Sequence, residues 1–223
     1  MQPIGNPYTP LSAGVQLWHV YKDPHAANSF NPQSTGRFSG QDAVPPRAMY
    51  YAASTSDCAL WETVLRDVVP QVQPPHDVQV PPVAGYHLAR LRLRRELAVL
   101  DLRPLALRWL VGTDVLLRDR LNMLTSVPKY TATHKATGEL LADLPDATGL
   151  RWPSKQADQE DAYVFYEPPG GPDDMEILET IALESPKGER LLDQALARAG
   201  MRRLASSELA AELARELPRD VEP

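Results

Sequence analysis

Proline most limits what this chain can build. It occurs 22 times in 223 residues, and each occurrence removes a backbone donor and fixes φ. The groups at Pro70, Pro74, Pro75 and Pro81, and again at Pro168, Pro169 and Pro172, therefore read as connections between elements. There is no internal repeat and no long low-complexity tract.

Between those connections the apolar pattern changes period. Residues 15–21 (VQLWHVY) and 48–53 (AMYYAA) are short runs rich in valine and aromatics, which read as strands. At Ser54, with Asp57 three residues on, a helix start is expected. Cys58, Trp61, Val64, Leu65, Val68 and Val69 then recur at helical spacing over 55–69, and Pro70 stops the run. Alternation returns at 85–94, with Ala89, Leu91 and Leu93 on one strand face and Arg90, Arg92 and Arg94 on the other. Further strands are expected at 97–102, 149–154 and 162–167, and helices at 113–124 and 132–143. The tail reads as two helices. Ser185-Pro186 opens one that Gly200 closes, and Ser206 opens another that Pro218 ends. A strand-rich centre flanked by helices predicts an α+β fold.

Composition narrows the function classes. Hydrophobic residues make up 43% of the chain, enough for a core. A net charge of −6 weighs against direct nucleic-acid binding, which needs a basic surface. The arginines at 90, 92 and 94 form the one modest basic stripe to weigh on the other side. The single cysteine, Cys58, excludes an intramolecular disulfide and a cysteine-rich zinc site. It falls on the apolar arc of the expected helix, where a small buried thiol is the ordinary explanation. No basic run followed by an apolar stretch opens the sequence, and no stretch approaches the length of a membrane span, so a cytoplasmic protein is expected.

Four side chains could carry chemistry. Arg37 sits in a loop bracketed by Gly36 and Gly40. Its guanidinium matches phosphate oxygens two at a time, and flanking glycines permit close approach of a ligand and unusual dihedrals. Tyr50 and Tyr51 lie on opposite faces of their strand, so one enters the core and the other faces a cleft or solvent. Glu62 falls on the edge of the apolar arc, where a carboxylate is costly unless a partner or ligand meets it. Its alternative is a rim glutamate paired with Arg66 or another arginine. Ser154 ends GLRWPS, where its hydroxyl can bond a ligand or serve only as a polar strand end.

The runs LWHV, FNP, GRF, YYAAS, ALWE and GLRWPS, in that order, resemble the RES-domain toxins of bacterial toxin–antitoxin pairs. That family is named for an arginine, a glutamate and a serine, which map onto Arg37, Glu62 and Ser154. Tyr51 matches the family's active-site tyrosine, because its interval to the glutamate fits and that of Tyr50 is one residue too long. The resemblance covers roughly 15–167, is dense from Leu17 to Glu62 and loose through 70–148. The chain has His19 where the first motif usually carries an arginine.

The resemblance implies a compact mixed sheet like that of ADP-ribosylating toxins, flanked by helices. It further implies that NAD is consumed as a substrate, not kept as a cofactor. Some relatives break NAD down, in certain cases with phosphate as acceptor, and others transfer ADP-ribose to a protein. An Xre-type helix-turn-helix antitoxin that covers the active site is the expected partner, with a homodimer or larger assembly left open. The chemistry of the residues agrees. Glu62 would stabilise an oxocarbenium-like transition state, Arg37 would hold a phosphate, Tyr51 would pack on the nicotinamide side, and Ser154 would position the sugar or nicotinamide. The sequence lacks a Rossmann glycine fingerprint and a phosphate loop. The expected organisation is an N-terminal extension (1–14), a RES-like catalytic domain (15–184) and a helical tail (185–223) on or near it.

Overall fold

The computed structural model describes residues 8–33, 36–69, 76–103, 106, 130–157 and 160–204. The helices expected at 113–124 and 206–217 lie outside the described residues. Ten strands are resolved in chain order: β1 (Tyr8–Leu11), β2 (Gln16–Lys22), β3 (Ala48–Ala53), β4 (His76–Val78), β5 (Tyr86–Leu93), β6 (Leu97–Asp101), β7 (Gly149–Pro153), β8 (Asp161–Glu167), β9 (Met175–Ala182) and β10 (Met201–Arg203). Among the described residues three α-helices accompany them: α1 (Ser56–Trp61), α2 (Tyr130–Asp143) and α3 (Pro186–Arg198).

Eight of the strands form one mixed sheet in the order β1-β6-β7-β8-β3-β2-β5-β9, with β6 and β7 parallel and the other neighbours antiparallel. Apolar residues are buried on both sheet faces. On one, Leu88, Val164 and Met49 join α1, α2 and α3 in a single cluster. On the other, Leu11 of β1 and Met175 of β9, on opposite edges of the sheet, belong to one apolar cluster that runs through Leu17, Tyr50 and Phe165 of the strands between. This α+β architecture matches the sequence expectation. The stretch expected as an N-terminal extension supplies β1, an edge strand that tolerates Pro10 because half of an edge strand's donors go unused.

Several local expectations change. The helix predicted over 55–69 is only one and a half turns long, and Thr55 rather than Ser54 caps it, accepting from Cys58 N at 3.1 Å. Thr63 Oγ1 donates back to Ala59 O at 2.6 Å, and Leu65 N reaches Leu60 O at 2.9 Å instead of Trp61 O. These bonds compete with the helical ladder and turn the chain at 62–67. Val64 and Leu65 are buried all the same, whereas Val69 is 78% exposed and does not belong to the apolar arc. Ser54 instead ties β8 to the start of α1, accepting from Asp161 N at 3.2 Å.

The basic stripe on β5 is neutralised by its neighbour. Arg92 pairs with Glu176 at 2.6 Å and Arg90 with Glu179 at 3.5 Å, both on β9. These two arginines thus tie β9 to β5, and their charges are met by carboxylates of that strand. At the tail, Ser185 caps α3 by accepting from Gly188 N, and Gly200 closes it with φ +72°. α3 buries Leu192 and Leu196 in the core and ties Arg198 to Asp57 of α1. Beyond it, β10 pairs in parallel with β4. No described helix is long and apolar enough to cross a membrane.

Candidate active site

The site begins where the sheet opens. β2 and β3 are neighbours but share one registered pair, Trp18 with Ala53, while each remains fully paired on its other side. Beyond that pair the strands diverge, and the carbonyl of Tyr51 loses its strand partner. His19 of β2 satisfies it through Nδ1. A carbonyl only accepts, so Nδ1 carries the proton. Burial holds the His19 pKa down to about 4, which leaves the ring neutral, and its face lies 4.2 Å from that of Tyr50.

A cavity of about 960 Å³ fills this opening. Arg37, Tyr51, Glu62 and Ser154 all line it, although they come from a loop, a strand, a helix end and a second strand end. The described lining carries four cationic side chains, Lys22, Arg37, Arg66 and Lys155, against one carboxylate, Glu62. In a chain of net charge −6 this is a local reversal of sign, suited to an anionic ligand.

Each side chain is positioned by identifiable contacts. Tyr50 and Tyr51 separate as alternation requires. Tyr50 is buried and donates its hydroxyl to Ala27 O at 2.6 Å, while Tyr51 is half-buried and faces the cavity. Burial pushes the Tyr50 hydroxyl pKa well up. Tyr51 stands edge-on to Trp152 with ring centroids 6.3 Å apart, and its hydroxyl oxygen accepts from Phe38 N at 3.3 Å.

The Arg37 loop is pinned from several sides. Phe38 is fully buried against Trp152, with centroids 4.6 Å apart, and Tyr166 donates to Phe38 O at 3.0 Å. From α2, Thr133 Oγ1 donates to Arg37 O and His134 Nε2 donates to Gly36 O at 2.8 Å. The bracketing glycines do not serve unusual dihedrals: the positive-φ glycines among the described residues are Gly14, Gly85 and Gly200. Gly36 is needed for proximity, because a Cβ there would stand 2.4 Å from the Tyr51 hydroxyl oxygen. Desolvation lowers the Arg37 pKa, the Glu62 charge raises it and the Arg66 charge lowers it again.

Glu62 caps the C-terminal end of α1, its backbone N–H reaching Cys58 O at 2.9 Å. A helix C-terminus is the unfavourable end for a negative charge, at a cost of roughly 0.3–1 kcal/mol. The compensating contact is Ser154, which is 2% exposed and donates from Oγ to Glu62 Oε1 at 2.6 Å. Ser154 Oγ in turn accepts from Gln156 N and Ala157 N, both at 3.1 Å, so the hydroxyl hydrogen is directed at the carboxylate. Among the described residues Glu62 has no ion pair with Arg66, although its charge acts on Arg37, the other arginine of the cavity. Cys58 is buried, and desolvation with the nearby Glu62 charge pushes its pKa up to about 12, which removes it as a nucleophile.

Sequence reasoning missed the supporting residues. Trp152 lay inside a quoted motif without a role, and Thr133 and His134 fell in an ordinary helical stretch. Their contacts are tertiary, and no local pattern announces them. The lining itself combines a paired carboxylate, a desolvated guanidinium and aromatic walls. Such a set can bind a flat, phosphate-bearing molecule and stabilise positive charge that develops beside the carboxylate.

Comparison with known proteins bears on the family and the fold. The model of the RES domain matches residues 16–184. No curated protein matches the chain. Among solved structures, the chain is similar to one in the M. tuberculosis MbcT–MbcA toxin–antitoxin complex, with a TM-score of 0.53 and 17% identity over 82% of this chain and 91% of that one. At that identity the likeness concerns the fold, which is the α+β arrangement described above. With three quarters of its length matched by the domain, this chain belongs to the RES domain family.

Proposed function

We propose that this chain is the toxin of a toxin–antitoxin pair and that it consumes NAD by breaking the bond between nicotinamide and ribose. The observation that carries this reading is the hydrogen bond from Ser154 to Glu62 on the wall of a cavity that also holds Arg37 and Tyr51. In NAD the nicotinamide nitrogen is already cationic. Breaking the glycosidic bond sends its electron pair to that nitrogen, and neutral nicotinamide leaves without a general acid. The positive charge moves to the ribose, where the Glu62 carboxylate stabilises it. Ser154 keeps that carboxylate aimed. Arg37 holds a phosphate, and Tyr51 packs on the nicotinamide side, with Trp152 standing edge-on to it. Attack by water then yields ADP-ribose and a proton.

A second reading keeps the first step and makes a protein side chain the acceptor. The cavity mouth, rimmed by exposed Lys22, Arg66 and Lys155, gives an acceptor room to approach. The likeness to a toxin solved with its antitoxin supports a protein inhibitor as partner, and we assign that role to an Xre-type helix-turn-helix protein seated over this mouth. Depletion of NAD would then arrest growth of the cell that makes the toxin, as a cytoplasmic enzyme. Incubating the purified chain with NAD labelled in the adenine, with cell lysate present, tests both readings. Free nicotinamide with labelled ADP-ribose supports hydrolysis, and a discrete labelled protein band supports transfer. Intact NAD contradicts both.

A further inference from the structure

Arg66 lines the cavity and has no place in the mechanism above. It follows Glu62 by four residues, but α1 has ended by then, and the turns at 62–67 carry it to the mouth, where it is exposed. Among the described residues it pairs with no carboxylate. Its guanidinium instead lies over the ring of Tyr130, 5.5 Å from the centroid. Tyr130 is the first residue of α2, and the same first turn of α2 supplies Thr133 and His134, which hold the Arg37 loop. Both arginines are therefore supported by one helix end and face one cavity. They are close enough for the Arg66 charge to oppose that of Arg37. Glu62, the one carboxylate of the described lining, accepts from Ser154 and keeps its charge, which acts on Arg37.

With Glu62 offsetting one of the two cations, the group of Arg37, Arg66 and Glu62 keeps a net positive charge, which favours a ligand carrying negative charges. Exposure sets the order of contact: Arg37 is half-buried near Glu62, while Arg66 stands farther out.

We propose that Arg66 is the second arm of a pyrophosphate clamp, holding the outer phosphate of the dinucleotide while Arg37 holds the inner one, with the Tyr130 ring fixing its direction. This inference rests on the cavity being the dinucleotide site and adds to it a residue that selects for the diphosphate. A guanidinium braced on an aromatic ring is pre-organised, so little side-chain freedom is lost on binding.

The alternative is that Arg66 only braces Tyr130, and the two separate by probe. ADP-ribose, which contains the pyrophosphate, and nicotinamide, which does not, are titrated calorimetrically into the full-length wild type, Arg66→Ala and Arg66→Lys. The clamp predicts ADP-ribose binding at least about ten-fold weaker in Arg66→Ala, a smaller loss in Arg66→Lys, and unchanged nicotinamide affinity. It also predicts a shallower dependence of ADP-ribose affinity on salt in Arg66→Ala. Equal ADP-ribose affinity in wild type and Arg66→Ala, an equal loss for both probes, or no ADP-ribose binding by the wild type overturns it. Because these titrations do not depend on turnover, a wild type that binds ADP-ribose through Arg66 yet releases no nicotinamide keeps the clamp and rejects the catalytic reading.

Discussion

Ser154 Oγ donates a 2.6 Å hydrogen bond to Glu62 Oε1, joining the end of β7 to the C-terminal cap of α1. The carboxylate is thus held at the end of a helix that disfavours it, by a hydroxyl whose own orientation is set by two backbone donors. Ser154→Ala removes that charge-assisted bond, a loss of about 1.5–3 kcal/mol. We expect kcat for nicotinamide release to fall about 10–100-fold, with a smaller change in KM. Steady-state kinetics beside circular dichroism checks this, and an unchanged kcat in a folded variant removes Ser154 from the mechanism.

Arg37 presents a planar fork of donors, and lysine replaces it with a point charge. Arg37→Lys keeps the sign of the charge, so the fold and the balance with Glu62 persist. The KM for NAD is expected to rise about ten-fold or more. Equal Michaelis constants for the two proteins refute the phosphate role.

Gly36→Ala tests the close approach between the Arg37 loop and Tyr51. The added Cβ would meet the Tyr51 hydroxyl oxygen at 2.4 Å and Cζ at 2.8 Å, so either the ring or the pinned loop must move. Overpacking of this kind costs about 1–3 kcal/mol. A lower melting temperature together with a raised KM is the expected result, and wild-type values for both contradict this packing.

His19 links pH to stability. Its pKa is held down to about 4 in the folded chain, against an ordinary 6.5. The unfolded chain takes up the proton first, so the contribution is fully present above pH 6.5 and is lost as the pH falls towards 4. Allowing for partial exposure, the wild type is expected to lose about 2 kcal/mol more than His19→Asn across that window. The asparagine amide keeps a donor for Tyr51 O. Urea unfolding at a series of pH values measures the difference, and parallel curves contradict it.

Much of this fold is legible in the sequence where burial is one-sided or complete. β2, β3, β5 and β8 follow from valine, aromatic and alternating patterns, and α3 from its serine cap and closing glycine. β9 is not legible, because MEILETIA is rich in helix formers. Its strand state comes from the antiparallel ladder it forms with β5, a pairing distant in sequence, which Glu176 and Glu179 support by meeting Arg92 and Arg90. The early end of α1 is hidden for a similar reason. The apolar spacing continues to Leu65 while the Thr63 hydroxyl diverts the backbone. In the site, Arg37, Tyr51, Glu62 and Ser154 were recognisable by their order and intervals. The hydrogen bond that joins Glu62 to Ser154, and the grip of Thr133 and His134 on the Arg37 loop, arise from tertiary contacts that spacing cannot carry.

The most direct measurement compares nicotinamide release from NAD by the purified wild type and by Glu62→Gln, with circular dichroism and melting temperature recorded on both. Glutamine keeps the volume and can still accept from Ser154, so only the negative charge is lost. Release by the wild type and its abolition in an equally folded Glu62→Gln is the predicted result. Equal release by the two proteins, or none by a folded wild type free of any antitoxin, contradicts the account.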